Sequence, residues 1–238
     1  MGGEPVACFL SLGFPSKLSQ TWLDGFFRGF TRLARRFRVP LAGGDVSTAR
    51  KITADIVVVG QIPAGEYVLR SGAKPGDRIY VTGELGESAA VLRRMYAGNR
   101  VSPVPSNRHF YPEPRIAVGR WLRRQRLATA MIDLSDGLSV DLAHICQESR
   151  VSATIHAGSV PVVKGAGLKL ALHGGEDYEL LFTAPHKAKV PTRIAGVKVT
   201  DIGMIGKRKD YRAAIRILDE NGKARVLAPH GWQHFAKR

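Results

Sequence analysis

The chain has 238 residues, 44% of them hydrophobic and 24% charged, enough to bury a real core as one large domain or two small ones. No apolar stretch approaches the roughly 20 residues that span a bilayer, and Met1-Gly-Gly-Glu4 lacks the basic region of a secretory leader, so neither a membrane span nor a leader is expected. A net charge of +16 leaves two classes of partner, a nucleic acid or membrane surface on one side and a phosphorylated, anionic substrate on the other.

Val6 to Phe14 is a strand-like apolar run ended by the turn pair Phe14-Pro15, and it reads like the middle of a domain. Ser19 to Arg38 carries Trp22, Leu23, Phe26, Phe30, Leu33, Ala34 and Phe37 at amphipathic-helix spacing, with Ser19 as N-cap and Pro40 as the stop. A short strand leads into the glycines of "AGGDV", where a turn is the ordinary reading of GGD, and Ile52 to Ile62 reads as a buried strand. "RIYVTG" predicts a strand and "ELGESAAVLRRMYAG" a helix. Asn99 to Glu113, with Pro103, Pro105 and Pro112, predicts a surface connection, followed by a helix from Pro114. "LATAMIDLSDGLSVDLAHICQES" reads as strand, acidic turn and helix. Val151 to Ala157 and Tyr178 to Ala184 read as strands separated by a glycine-rich stretch. Val197 to Leu227 predicts two or three strands with turns at Gly203, Gly206 and Asn221-Gly222. Strands mixed with helices, some joined directly, give an α/β (mixed α+β) class.

Of the densest basic groups, Arg32 to Arg38, Arg120 to Arg126 and Lys207-Arg208-Lys209, the first two fall on polar helix faces, and without a nucleic-acid motif such runs are only weak evidence for nucleic acid. Cys8 and Cys146 share no CxxC spacing and read as buried thiols of a reducing cytosol. The P-loop pattern, GxGxxG after a strand, HExxH and GxSxG are all absent.

The chemistry concentrates at strand ends. "MIDLSDGL" delivers Asp133, Ser135 and Asp136 to a turn that opens a helix at Gly137. Two carboxylates flanking a hydroxyl suit a hard cation such as Mg²⁺, and a helix start favours phosphate oxygens. The competing reading is that Ser135 or Asp136 merely caps the helix. "LAGGDVST" sets Asp45 after Gly43 and Gly44, two glycines that permit close backbone approach, and "HGGEDYEL" sets Glu176 and Asp177 before a strand. Three glycine-flanked acidic segments in one basic chain suggest carboxylates gathering metal ions, with arginines and backbone donors neutralising phosphates.

Together "GGDV", "LRSGAKPGDRIYVTGELGESAA", "PEPRIAVGR", "ATAMIDLSDGL", "HGGEDYELLFTA" and the terminal "HGWQHF" resemble the thiamine-monophosphate kinase family, in that family's order and over nearly the whole chain. The resemblance implies the two-domain aminoimidazole ribonucleotide synthetase-like fold, with residues 1–66 a remnant of the ATP-binding and dimerisation domain and 67–238 the C-terminal domain. It implies ATP-dependent phosphorylation of thiamine monophosphate to thiamine diphosphate with Mg²⁺, in a cytoplasmic homodimer without membrane or nucleic-acid partners. Asp45, Asp133 and Asp136 resemble metal ligands; Gly44, Asp45, Arg70 and Ser135 resemble nucleotide contacts; Glu176 and Trp232 resemble residues holding the thiamine portion. A family member lacking its N-terminal segment is expected, its first strand without a sheet neighbour and its turnover correspondingly low. The alternatives are another ATP-using enzyme of the superfamily, or a non-catalytic basic binding protein that retains the fold.

Overall fold

The computed structural model describes residues 1–208 and 215–231. The chain divides into two compact units, one of Gly3–Gly65 and one of Met1–Gly2 with the chain from Glu66 onward.

The Gly3–Gly65 unit holds β1 (Glu4–Phe14), α1 (Gln20–Arg36), β2 (Leu41–Thr48) and β3 (Thr53–Gln61). Ser19 does cap α1, accepting the Trp22 N–H at 3.3 Å. The helix returns the chain so that β2 pairs parallel to β1, while β3 pairs antiparallel on the other side. The expectation that β1 lacks a neighbour is therefore corrected: it is the central strand of the order β2-β1-β3. The expected turn at GGD is corrected too, because the whole of Leu41–Thr48 is strand. Gly44 serves that ladder: a Cβ there would lie 1.9 Å from the Leu10 carbonyl oxygen. β3 was read as buried, yet β2 and β3 are exposed along their whole length.

The second unit is built on a long sheet of β4 (Arg78–Thr82), β5 (Ala130–Asp133), β6 (Val151–His156), β7 (Leu180–Ala184), β8 (Arg193–Ile194), β9 (Val197–Lys207), β10 (Ile215–Leu218) and β11 (Ala224–Val226). Its main path runs β11-β10-β6-β9-β4-β7-β5, with β8 attached to β9. All pairs are antiparallel except β10 with β6. Period-two alternation sends side chains to two cores. Ile79, Val81, Ile132 and Leu181 join Leu138, Leu142 and Ile145 of α4 (Leu138–Glu148) and Leu172 of α5 (Leu168–His173). Tyr80, Met131, Leu180 and Phe182 join Val118 and Leu122 of α3 (Ile116–Arg124) on the opposite face. The remaining helix, α2 (Glu87–Tyr96), follows β4.

Three boundaries depart from expectation. Gly203 and Gly206 are not turns but lie inside β9, where a Cβ on Gly203 would meet the Thr154 carbonyl oxygen at 2.1 Å; they permit close strand approach. Helix α3 begins after Arg115 rather than at Pro114. Strand β7 begins at Leu180, two residues later than Tyr178, and α5 rises from the stretch read as glycine-rich connection. Among the described residues no helix is long and apolar enough to cross a membrane.

Candidate active site

Strands β5 and β7 pair antiparallel with Asp133 opposite Leu180. Beyond that pair the two chains stay locked together. Leu134 N–H donates to Glu179 O, Tyr178 N–H to Leu134 O and Glu176 N–H to Ser135 O, each at 2.8 Å. Two of the three acidic segments read in the sequence, "LSD" and "GGEDYE", are thus one structure.

The second segment is wound tightly. Gly175, Glu176 and Tyr178 take positive φ of 69°, 58° and 51°, a conformation that costs a side-chain-bearing residue roughly 1–2 kcal/mol. The winding turns Glu176 and Tyr178 outward and Asp177 and Glu179 inward. Glu179 is fully buried; it accepts the Thr82 hydroxyl at 2.6 Å and Arg115 Nε at 2.7 Å, and a second Arg115 nitrogen completes a two-pronged ion pair. Arg115 is the residue immediately before α3. Asp177 accepts the Gly86 N–H at the start of α2, and burial, opposed by that hydrogen bond, pushes its carboxyl up to about 7.

On the outward side Tyr178 Oη donates to Glu176 Oε1 at 3.2 Å. Its phenol is pushed up by burial first, then by Glu176, and further by Asp133 and Asp136. Glu176 therefore shares its electrostatic surroundings with the two aspartates of the neighbouring loop.

Helix α4 starts at Gly137 with φ +110° and no side-chain cap of its own residue. Neither Ser135 nor Asp136 caps it. Asp141, from inside the first turn, reaches back instead, its Oδ2 accepting Gly137 N–H at 3.1 Å and Asp136 N–H at 3.2 Å. Burial raises the Asp141 carboxyl to about 7 against those two hydrogen bonds, with Asp136 and Asp133 adding to the rise. Among the described residues the half-buried side chains of Asp133 and Asp136 have no hydrogen-bond or ion-pair partner. Asp136, Asp141 and His144 also bring one donor atom each within 4.8 Å of one another. Uncompensated carboxylate oxygen on a rigid loop fits a hard divalent cation.

Of the residues singled out in the sequence, Asp133, Ser135, Asp136 and Glu176 are brought together here. Arg70 is exposed on the segment running beside β5, where Leu69 O accepts Met131 N–H at 3.0 Å. Gly44 and Asp45 belong to the Gly3–Gly65 unit, Asp45 lying exposed opposite Ser11 in β2. Trp232 lies outside the described residues; Gly231 before it packs on the loop, a Cβ there falling 2.1 Å from Asp136 O. Sequence reading missed Asp141, Glu179 and Arg115. Asp141 had a signal, an acid four residues after Gly137 in the first helical turn, whereas Arg115 and Glu179 are 64 residues apart and had none.

This architecture has known relatives. Residues 1–62 match AIR synthase related protein, N-terminal domain, and residues 74–222 match its C-terminal domain. Thiamine-monophosphate kinase of Salmonella typhimurium is 36% identical over 99% of this chain and 75% of its own length, and that of Bacillus subtilis 34% over 99% and 76%. A solved structure described as AaThiL complexed with AMPPCP and TMP superposes with TM-score 0.83 at 30% identity, covering 98% of this chain and 75% of that one. The two matches, which together span most of the chain, define an AIR synthase related protein. Within that class, at these identities and coverage, the chain belongs to the thiamine-monophosphate kinase family.

Proposed function

We propose that this chain catalyses ATP-dependent phosphorylation of thiamine monophosphate to thiamine diphosphate by direct, in-line transfer. One observation carries the reading: Asp133 and Asp136, without partners among the described residues, are locked beside Glu176 by the backbone ladder between Leu134–Ser135 and Glu176–Glu179. The solved relative with AMPPCP and TMP supports both substrates.

The acceptor is a phosphate whose second pKa is about 6, so it is largely ionised near neutrality and needs no strong general base. What the reaction needs is suppression of repulsion between two polyanions, and alignment. Asp133 and Asp136 are the residues of the second unit that would hold Mg²⁺, and Asp45 of the Gly3–Gly65 unit is proposed as a metal ligand by family resemblance alone. Bound there, the ion would neutralise phosphate charge developing in transfer. Ser135, Arg70, Gly44 and Asp45 are proposed as nucleotide contacts. Glu176, an exposed carboxylate, supplies charge complementary to the cationic thiazolium, and Trp232 a flat ring to stack on it.

The same reading includes a homodimer in the cytoplasm. The exposed apolar positions of β2 and β3, Val46 at 62% and Val58 at 59%, form a surface that a second copy would cover. Both cysteines are free and buried, and burial pushes the Cys146 thiol up to about 12, which suits an inert thiol in a reducing compartment. The test is ADP release from Mg-ATP with thiamine monophosphate or unphosphorylated thiamine as acceptor. Stimulation by the monophosphate alone supports the reading; equal stimulation by thiamine, or none by either, contradicts it.

A further inference from the structure

Ser139, in the first turn of α4, is fully buried, and its hydroxyl makes three polar contacts with two residues distant in sequence. Oγ donates to His230 O at 3.0 Å and accepts His230 N–H at 3.2 Å. His173 Nδ1, at the end of α5, lies 2.8 Å from the same Oγ and 2.9 Å from His230 O.

The proton positions follow from elementary bookkeeping. A carbonyl oxygen only accepts, so the imidazole proton sits on Nδ1, shared between His230 O and Ser139 Oγ. The Ser139 proton is committed to His230 O, and its lone pairs take the two N–H groups. Burial lowers the His173 pKa, its largest cause, so the ring is favoured in the neutral form with a single N–H. The rings of His173 and His230 meet edge to face, 5.6 Å apart at 80°.

This clasp sits directly behind the acidic loop. A Cβ on Gly137 would lie 3.0 Å from the His173 carbonyl carbon, so the end of α5 and the start of α4 are in close contact. Gly231, just past the clasp, fits against Asp136 O and Val140 only because it has no side chain. Two chain segments far from it in sequence, the end of α5 and His230–Gly231, therefore close on the loop that carries Asp133 and Asp136.

We infer that Ser139 and His173 are positioning residues: they hold His230–Gly231 on the Asp136 loop and thereby set affinity for the thiamine portion of the substrate, leaving nucleotide affinity alone. The inference rests on the proposed role of Trp232, the next residue. His173 never touches substrate in this account; it acts through the chain it fixes.

The test compares the full chain with His173→Leu, which removes the donor, and His173→Asn, whose side-chain amide places an N–H near the Nδ1 position. Amide hydrogen exchange over residues 228–231, measured without ligand, should quicken about tenfold or more in His173→Leu and return toward the parent rate in His173→Asn. In calorimetric titrations with Mg²⁺, His173→Leu should bind thiamine monophosphate about five- to tenfold more weakly, the scale of one hydrogen bond, with AMPPCP affinity unchanged. Unchanged exchange in His173→Leu overturns the clasp. Faster exchange with unchanged thiamine monophosphate affinity, or equal loss of both ligands with a lowered melting temperature, overturns the positioning role. A parent chain that binds no thiamine monophosphate counts against the proposed function and this role together, while the exchange measurement still decides the clasp.

Discussion

The carboxylate of Asp177 holds the backbone N–H of Gly86 with both oxygens, at 2.9 and 3.0 Å, across 91 residues of chain. Gly86 begins α2 and brings no side-chain cap of its own, so the helix is capped from another segment. Asp141 does the same for α4 from within the helix. A carboxylate at a helix start is favourable, yet desolvation outweighs it in both, and each carboxyl is raised to about 7.

Raised carboxyls make stability depend on pH in a definite sense. The native Asp177 carboxyl binds a proton up to about 7, whereas its ordinary value is 3.8. Its contribution is therefore complete below the lower value and is lost as pH rises through the higher one, at no more than about 1.4 kcal/mol per pH unit. Asp177→Asn keeps an acceptor for Gly86 and removes the titration. Urea midpoints across this window should show a slope shallower than the parent's, the remainder coming from Asp141. A slope equal to the parent's would mean that Asp177 does not titrate there.

Arg115→Met strands a buried charge. Glu179 would keep Thr82 but lose its two-pronged partner, at a cost of about 3–5 kcal/mol. Adding Glu179→Gln should recover a large part of that loss. Denaturation of the parent, both single variants and the double variant measures it; a double variant no more stable than Arg115→Met alone would contradict the account.

Asp133→Asn and Asp136→Asn should each remove Mg²⁺-dependent nucleotide binding while leaving the melting temperature near the parent's. Neither carboxylate caps α4, because Asp141 does. Calorimetry with Mg-ATP and a thermal melt decide this together. Unchanged nucleotide affinity in both variants would contradict the proposed metal-binding role of the two aspartates.

Gly44→Ala should open β1 from β2. A methyl 1.9 Å from the Leu10 carbonyl cannot be absorbed by a side-chain shift, since the obstacle is backbone. A loss of about 3 kcal/mol or more is expected for the Gly3–Gly65 unit, the scale of a severe core clash. Faster amide exchange at Leu10 and Ser11 reports it; parent-like exchange would contradict the close approach.

What the sequence made legible was local. Apolar periodicity with a capping serine gave α1 to within two residues, and the strand, turn and helix around "DLSDGL" follow the same local pattern. Glycines are ambiguous between turning and close approach: both readings are open at Gly44 and only a turn is expected at Gly203, and both residues sit inside strands against a neighbour's carbonyl. Long-range polar partnerships were invisible. Nothing in "PEPR" signals that Arg115 will meet Glu179, and nothing in "LHGG" signals that His173 will close on Ser139 and His230. The strand content of β1 was plain, but its two neighbours depend on pairings that no local pattern encodes.

The central claim is phosphoryl transfer from ATP to the phosphate of thiamine monophosphate, and the most direct measurement follows the transferred group. The chain is incubated with Mg²⁺, thiamine monophosphate and ATP labelled at its γ-phosphate, and the products are separated. The account predicts label in thiamine diphosphate, with ADP formed in equal amount, and none when Asp133→Asn replaces the parent. Label released only as inorganic phosphate, or thiamine diphosphate formed equally well by Asp133→Asn, would contradict it.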